Sequence, residues 1–208
     1  MRMQFFMSRF QQSGMTLVAT LLILLVVLML SIAASQIAVQ GEKSSRNDRD
    51  HQIAFQAAEA ALLDAEMDIE NSPDAARSRS DLFSSASAVG FPVAAGAACG
   101  SGEQNNYLGL CHYAEAGALP IWHIVNFMDD AASTSSSVPY GRFTGQAFQI
   151  ANGSLPVKLP RYIVELMLYK MPGARADEQS YFYRITAVGF GARESTQVAL
   201  QTVYRKTH

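Results

Sequence analysis

From Met15 to Gly41 the sequence has no charged residue, and its first fourteen residues, MRMQFFMSRFQQSG, contain Arg2 and Arg9 but no acid. The chain as a whole lacks a basic excess, with 16 Lys and Arg against 18 Asp and Glu. A nucleic-acid partner therefore has no electrostatic support. Catalytic patterns are missing too. The serines lie in no Gly-x-Ser-x-Gly elbow, and there is no phosphate loop or paired-glycine nucleotide motif. The four histidines, His51, His112, His123 and His208, are dispersed. Glu59 and Glu66, two turns apart, suit surface pairing with arginines better than acid–base work. Neither an enzyme nor a cofactor is expected.

Cysteine is scarce: only Cys99 and Cys111 occur. In an exported chain, two cysteines this close are expected to form a disulfide. Such a bond is worth roughly 3 kcal/mol in the chain-entropy picture. Zinc is the rival, with His112 and His123 as further ligands. The short Cys pair or short His pair of known zinc sites is absent, so no metal is expected. Free thiols are the remaining alternative.

What is present begins with a long apolar run. Leu17–Leu30 reads LVATLLILLVVLML, and weakly polar residues continue to Val39. A helix of about 20 residues crosses the hydrocarbon core of a bilayer. The basic flank lies before the run, so the first residues are expected to stay in the cytoplasm and the remainder to be exported. Three readings compete: a secretory signal cut after the run, a retained signal anchor, and a leader cut before the run.

After Gly41 comes a mixed-charge stretch, Glu42 to Asp50, with no proline to stop a helix, and then HQIAFQAAEAALLDAEMDIE. Phe55, Ala58, Leu62, Ala65 and Ile69 recur at spacings of three and four, which draws one apolar stripe for packing on a sheet. Gln56, Asp64, Asp68 and Glu70 are assigned to the opposite, polar face. Asn71-Ser72-Pro73 is the expected stop.

Residues 73–160 give weaker signals. Ser80–Gly102 and Ser133–Ser137 read as connections, and Ile121–Phe127 and Arg142–Ile150 as short strands. Arg161–Leu168, Tyr181–Gly189 and Gln197–Arg205 are β-prone, the last two with clear alternation, and form an antiparallel meander. Met171-Pro172-Gly173 supplies turn material. The expected fold is α+β: a long amino-terminal helix packed on a carboxy-terminal antiparallel sheet. The expected divisions are a leader at 1–14, an apolar half-helix at 15–41, an amphipathic half at 42–71, and a globular domain at 72–208 containing the meander at 161–205.

Gly14-Met15-Thr16-Leu17 resembles a prepilin peptidase site. Arg49 through FQAAEAALLDAE (Phe55–Glu66) resembles the amino-terminal signature of the PilX family of type IV pilus minor pilins. The resemblance covers about the first third of the chain. It implies cleavage by prepilin peptidase between Gly14 and Met15, with N-methylation of Met15. It also implies an inner-membrane stage with the carboxy-terminal domain in the periplasm, followed by a place in the pilus beside the major pilin and other minor pilins.

Most pilins carry a glutamate at the fifth residue after the cut, where this chain has Ala19. The family picture pairs that glutamate with the free amine of the preceding subunit. Ala19 therefore implies a position at the filament tip, in a complex that initiates assembly and presents an adhesin. K-type pseudopilins of type II secretion share the missing acid, but they usually carry an inserted domain for which 208 residues leave no room. An uncleaved, signal-anchored periplasmic binding domain is the rival from another class.

Overall fold

The computed structural model describes residues 15–91, 99–114, 117–151, 153–170, 173 and 180–206. The leader with Gly14, and Met171 and Pro172 of the expected turn, lie outside the described residues. The chain forms two compact units, residues 1–47 and 48–208. Helix α1 runs from Met15 to Glu70.

In the first unit every residue of α1 is solvent-exposed. Its most apolar window has a mean hydropathy of 3.0, long and apolar enough to cross a membrane. Two of its hydroxyls bond within the helix: Thr20 Oγ1 donates to the Leu17 carbonyl and Ser31 Oγ to that of Val27. Both polar groups are thus compatible with hydrocarbon surroundings.

The second unit is built on a five-stranded sheet. Its strands are β1 (Leu110–His112), β2 (Val138–Pro139), β3 (Arg161–Tyr169), β4 (Ser180–Phe190) and β5 (Gln197–Tyr204). The order is β1-β3-β4-β5, with β2 also paired to β3. β3, β4 and β5 form the antiparallel meander, in register from Arg161↔Val188 to Tyr169↔Ser180 and from Tyr183↔Tyr204 to Phe190↔Gln197. β1 is parallel to β3, with Cys111 opposite Glu165.

Strand alternation separates two packing faces. Tyr162, Val164, Leu166, Tyr183, Ile185 and Ala187 pack with Ala61, Ala65 and Ile69 of α1. Ile163, Val188 and Phe190 pack instead with Cys99, Cys111, Ile121 and Phe127.

Alanine lets α1 lie against the sheet. A Cβ built on Gly189 of β4 would sit 2.1 Å from the Ala54 carbonyl oxygen and 2.3 Å from the Ala58 nitrogen. Helix backbone and strand backbone thus touch, and only small residues fit between them.

This contact rotates the buried stripe from the expected one. Ala58, Ala65 and Ile69 are buried, but Leu62 is only partly so and Phe55 is 41% exposed. The buried face runs through Ala54, Ala57, Ala58, Ala61, Asp64, Ala65, Asp68 and Ile69. Asp64 and Asp68, assigned to solvent from the sequence, are fully buried. Apolar spacing alone mislocated them, because their polarity is matched by partners distant in sequence.

The two expected short strands also do not form. Ile121–Ile124 is a single helical turn, α2, which together with Phe127 anchors its segment to the sheet. Its apolar residues serve packing rather than ladder pairing. Residues 142–150 contain no strand. Gly141 just before it and Gly145 within it take positive φ angles of 75° and 70°. The segment's polar groups bond to α1 and its end: the Gly141 N–H donates to Asp64, and the Phe143 carbonyl accepts from Ser72 Oγ.

Candidate functional site: an uncharged helix segment and a domain clamped by aspartates

The expected processing and position residues lie at the start of α1. Met15 is 77% exposed and Ala19 is exposed one turn later. Along the helix, the nearest neighbours of Ala19 are Met15, Thr16, Leu22 and Ile23, so no carboxylate lies within a turn of it. The first acidic residue of the chain is Glu42, paired with Arg46 on the helix surface.

Three aspartates on α1 hold three distant loops. Asp50 accepts from the Ala192 N–H, from Thr196 Oγ1 at 2.6 Å and from Arg193 Nε at 3.1 Å. It thereby fixes the turn joining β4 to β5. Asp64 accepts from the Gly141 N–H at 2.8 Å and from Thr144 Oγ1.

Asp68 is the most heavily engaged. Arg79 reaches it through Nε at 3.0 Å and Nη2 at 2.6 Å, and the Tyr162 hydroxyl donates to it at 2.8 Å. The same guanidinium donates through Nη1 to the carbonyls of Asn106 and Leu108 and lies 3.7 Å from the Phe143 ring centroid. Arg79 thus gathers α1, two loops and an aromatic ring at one buried point. On the other face of the sheet, Glu165 of β3 and Arg184 of β4 form a bidentate pair at 2.8 and 2.7 Å.

Titration follows these surroundings. Burial pushes the Asp50 carboxyl up, but hydrogen bonds from Thr196, Arg193 and the Ala192 N–H outweigh it and hold the group below the usual range. Asp64 has fewer donors, and burial leaves its carboxyl raised. Burial also lifts the Tyr183 hydroxyl to about 12.

The two aspartates therefore work in opposite senses. A lowered folded pKa contributes stability above the unfolded value, lost as pH falls through the folded one. A raised carboxyl pKa has the reverse effect. Asp50→Asn should cost about 1–3 kcal/mol at pH 7, with the deficit closing below about pH 4. The wild type should gain on Asp64→Asn as the medium is acidified. Urea denaturation of the full chain in detergent at several pH values measures both slopes, and parallel slopes for the two variants would contradict the assignment.

Cys99 and Cys111 are joined in a disulfide. It ties the segment before β1 to a strand residue that is fully buried. Changing both to serine should cost about 2–4 kcal/mol, seen as a lower urea midpoint that no longer responds to reductant. His112 lies against Tyr113 and His123 stacks on Trp122 at 4.0 Å. Among the described residues no group of three His, Cys, Asp or Glu could hold a metal ion.

Against this geometry, two family matches cover most of the sequence: PilX N-terminal on residues 13–63, and type IV pilus assembly protein PilX C-term on residues 93–206. The chain belongs to the PilX family. It is a minor pilin of a type IV pilus, a structural subunit in a family that is not catalytic. No curated protein and no solved structure matches it. The amino-terminal PilX match takes in the apolar run and α1 through Leu63, and the carboxy-terminal match takes in all five strands.

The sequence missed Asp50, Arg79, Glu165 and Arg184 as functional or clamping residues. Only the aspartates at 50, 64 and 68 on an alanine-rich helix could have drawn attention to the clamps. Nothing local marks Arg79.

Proposed function

We propose that this PilX protein is a tip subunit of the pilus, which joins other minor pilins in the complex that initiates polymerisation of the major pilin and presents an adhesin. The observation that carries this reading is Ala19 within Met15–Gly41, the part of α1 that has no charge and is exposed at every residue. A carboxylate in hydrocarbon costs several kcal/mol unless paired, so pilins that carry one use it to select a preceding subunit. A subunit with Ala19 makes no such upward contact. Its own amine, once freed, still receives the carboxylate of the next subunit.

In this reading prepilin peptidase cuts between Gly14 and Met15 and methylates Met15. The subunit waits in the inner membrane, with its amino terminus cytoplasmic and its carboxy-terminal domain periplasmic, until assembly extracts it to the pilus tip. Deleting the gene should abolish or sharply reduce surface filaments. Immunogold labelling of an epitope-tagged chain should mark filament ends. Labelling spread evenly along the shaft would count against the tip assignment.

A further inference from the structure

The two edges of the sheet are treated differently. Beyond β3 lie β1 and β2, which are short. β2 ends in Pro139, and β1 is covered in turn by the Gly100 N–H, which donates to the Leu110 carbonyl at 2.9 Å. Such devices blunt an edge. β5, the opposite edge, has none of them. It spans Gln197–Tyr204 without proline or a charged residue. Among the described residues, no main-chain hydrogen bond joins its outer edge to another segment.

In an antiparallel pair, alternate residues bond to one neighbour while the rest turn their N–H and C=O outward. β5 therefore presents a row of unpaired donors and acceptors at strand spacing. Gln197, Ala199, Gln201 and Val203 are exposed between them. Natural edges of this kind accept an extended peptide.

Charge at the two ends narrows the occupant. Glu194 before β5 and Arg205 after it are exposed, and neither forms an ion pair among the described residues. Arg205 only approaches the Tyr169 ring, at 5.4 Å from its centroid.

A second copy fits poorly. Added in parallel, it would place Glu194 against Glu194 and Arg205 against Arg205. Added antiparallel, it fails on direction. From residue 48 onward α1 runs alongside β5 in the same sense, with Ala54 and Ala58 packed near Val198, and Glu70 accepting from the Tyr204 hydroxyl. A two-fold β5 pair would send the residue-48 ends of the two chains in opposite directions. Both apolar runs precede residue 48, and a single bilayer requires the two chains to leave it on the same side.

We infer that the outer edge of β5 receives an extended segment of a different protein, added antiparallel as a sixth strand, with an acidic side chain beside Arg205 and a basic one beside Glu194. The edge exists whether or not the leader is cut, so this inference stands apart from the tip assignment.

The test uses the full-length protein in detergent micelles and a fluorescent fourteen-residue peptide of alternating Thr and Val, with Glu second and Lys thirteenth. Binding should protect every second amide of residues 197–204 from hydrogen exchange. A peptide with the two charges exchanged should bind about fivefold to tenfold more weakly at low salt, with the gap closing at high salt. The Glu194→Lys, Arg205→Glu double variant should reverse that preference.

Ala199→Pro and Thr202→Pro distinguish edge from core: one removes a bond to β4 and lowers the melting temperature, and the other removes only an outward N–H. The normally melting variant should lose binding at least about tenfold. If both variants unfold, the alternating protection in the wild type remains the deciding readout. Absence of peptide binding, protection without alternation, or a concentration-dependent homodimer built through β5 would each overturn the inference.

Discussion

Arg79→Ala is expected to be among the most damaging single substitutions in the domain, at about 3–5 kcal/mol. The side chains of Arg79 and Asp68 are 2% and 0% exposed, and their ion pair is closed at 2.6 Å. Truncating Arg79 leaves the Asp68 carboxylate buried with the Tyr162 hydroxyl and no compensating cation. The carbonyls of Asn106 and Leu108 lose a donor at the same time, and the Phe143 ring loses its cation.

The melting temperature of the full chain in detergent should fall by about 6–20 °C. Arg79→Lys should recover little, because an ammonium cannot span a carboxylate and two carbonyls in the fixed plane of a guanidinium. The double variant Arg79→Met, Asp68→Asn should be better than Arg79→Ala alone, since it removes both charges together. A loss below about 1 kcal/mol for Arg79→Ala would show that water reaches Asp68, and that the cluster is not a dry clamp.

Gly189→Val attacks the other joint of the domain. At most glycines an added side chain meets movable side-chain atoms or open space. At Gly189 it meets the backbone of α1 at Ala54, Ala57 and Ala58. No rotamer change relieves that contact, so the helix must back away from β4 or the strand must bend.

A loss of at least about 1–3 kcal/mol is expected, larger for valine than for alanine. Hydrogen exchange should quicken in β4 and β5 around residues 187–200, where Ala54 and Ala58 meet Val198. Gly41 is the internal control: nothing lies within 4 Å of its would-be side chain. Gly41→Ala removes a poor helix former from α1 and should leave the melting of the domain unchanged. Equal behaviour of the two substitutions would refute close backbone packing between helix and sheet.

Legibility in the sequence followed the range of the forces involved. The meander could be read because β4 and β5 carry period-two alternation that an adjacent strand must match, and its observed bounds differ from the expected ones by one residue. The apolar and amphipathic halves of α1 were visible for the same local reason, as was the cysteine pair. The buried face of the amphipathic half was not. Leu62 does pack, partly buried, against the core, but Phe55 on the same spacing is exposed, because the close approach at Gly189 sets Ala54, Ala57 and Ala58 against β4.

Asp64 and Asp68 looked solvent-facing because their partners, Thr144, Arg79 and Tyr162, lie 80, 11 and 94 residues away. The parallel pairing of β1 and the helical turn at Ile121–Ile124 depend on contacts with β3 and the sheet's second face. Neither has a local signal. The end of α1 at Glu70 rests on residues adjacent in sequence, Asn71-Ser72-Pro73, and could be read before any tertiary contact was known.

We propose that Met15–Gly41, the uncharged part of α1, stays in the mature subunit after a short basic leader is removed. Intact-mass and amino-terminal peptide mass spectrometry of the protein extracted from membranes tests this directly. The expected result is a chain beginning at Met15 and carrying one methyl group on its amine. A chain that keeps Met1, or one that begins beyond Val39 as a free periplasmic domain, would contradict it.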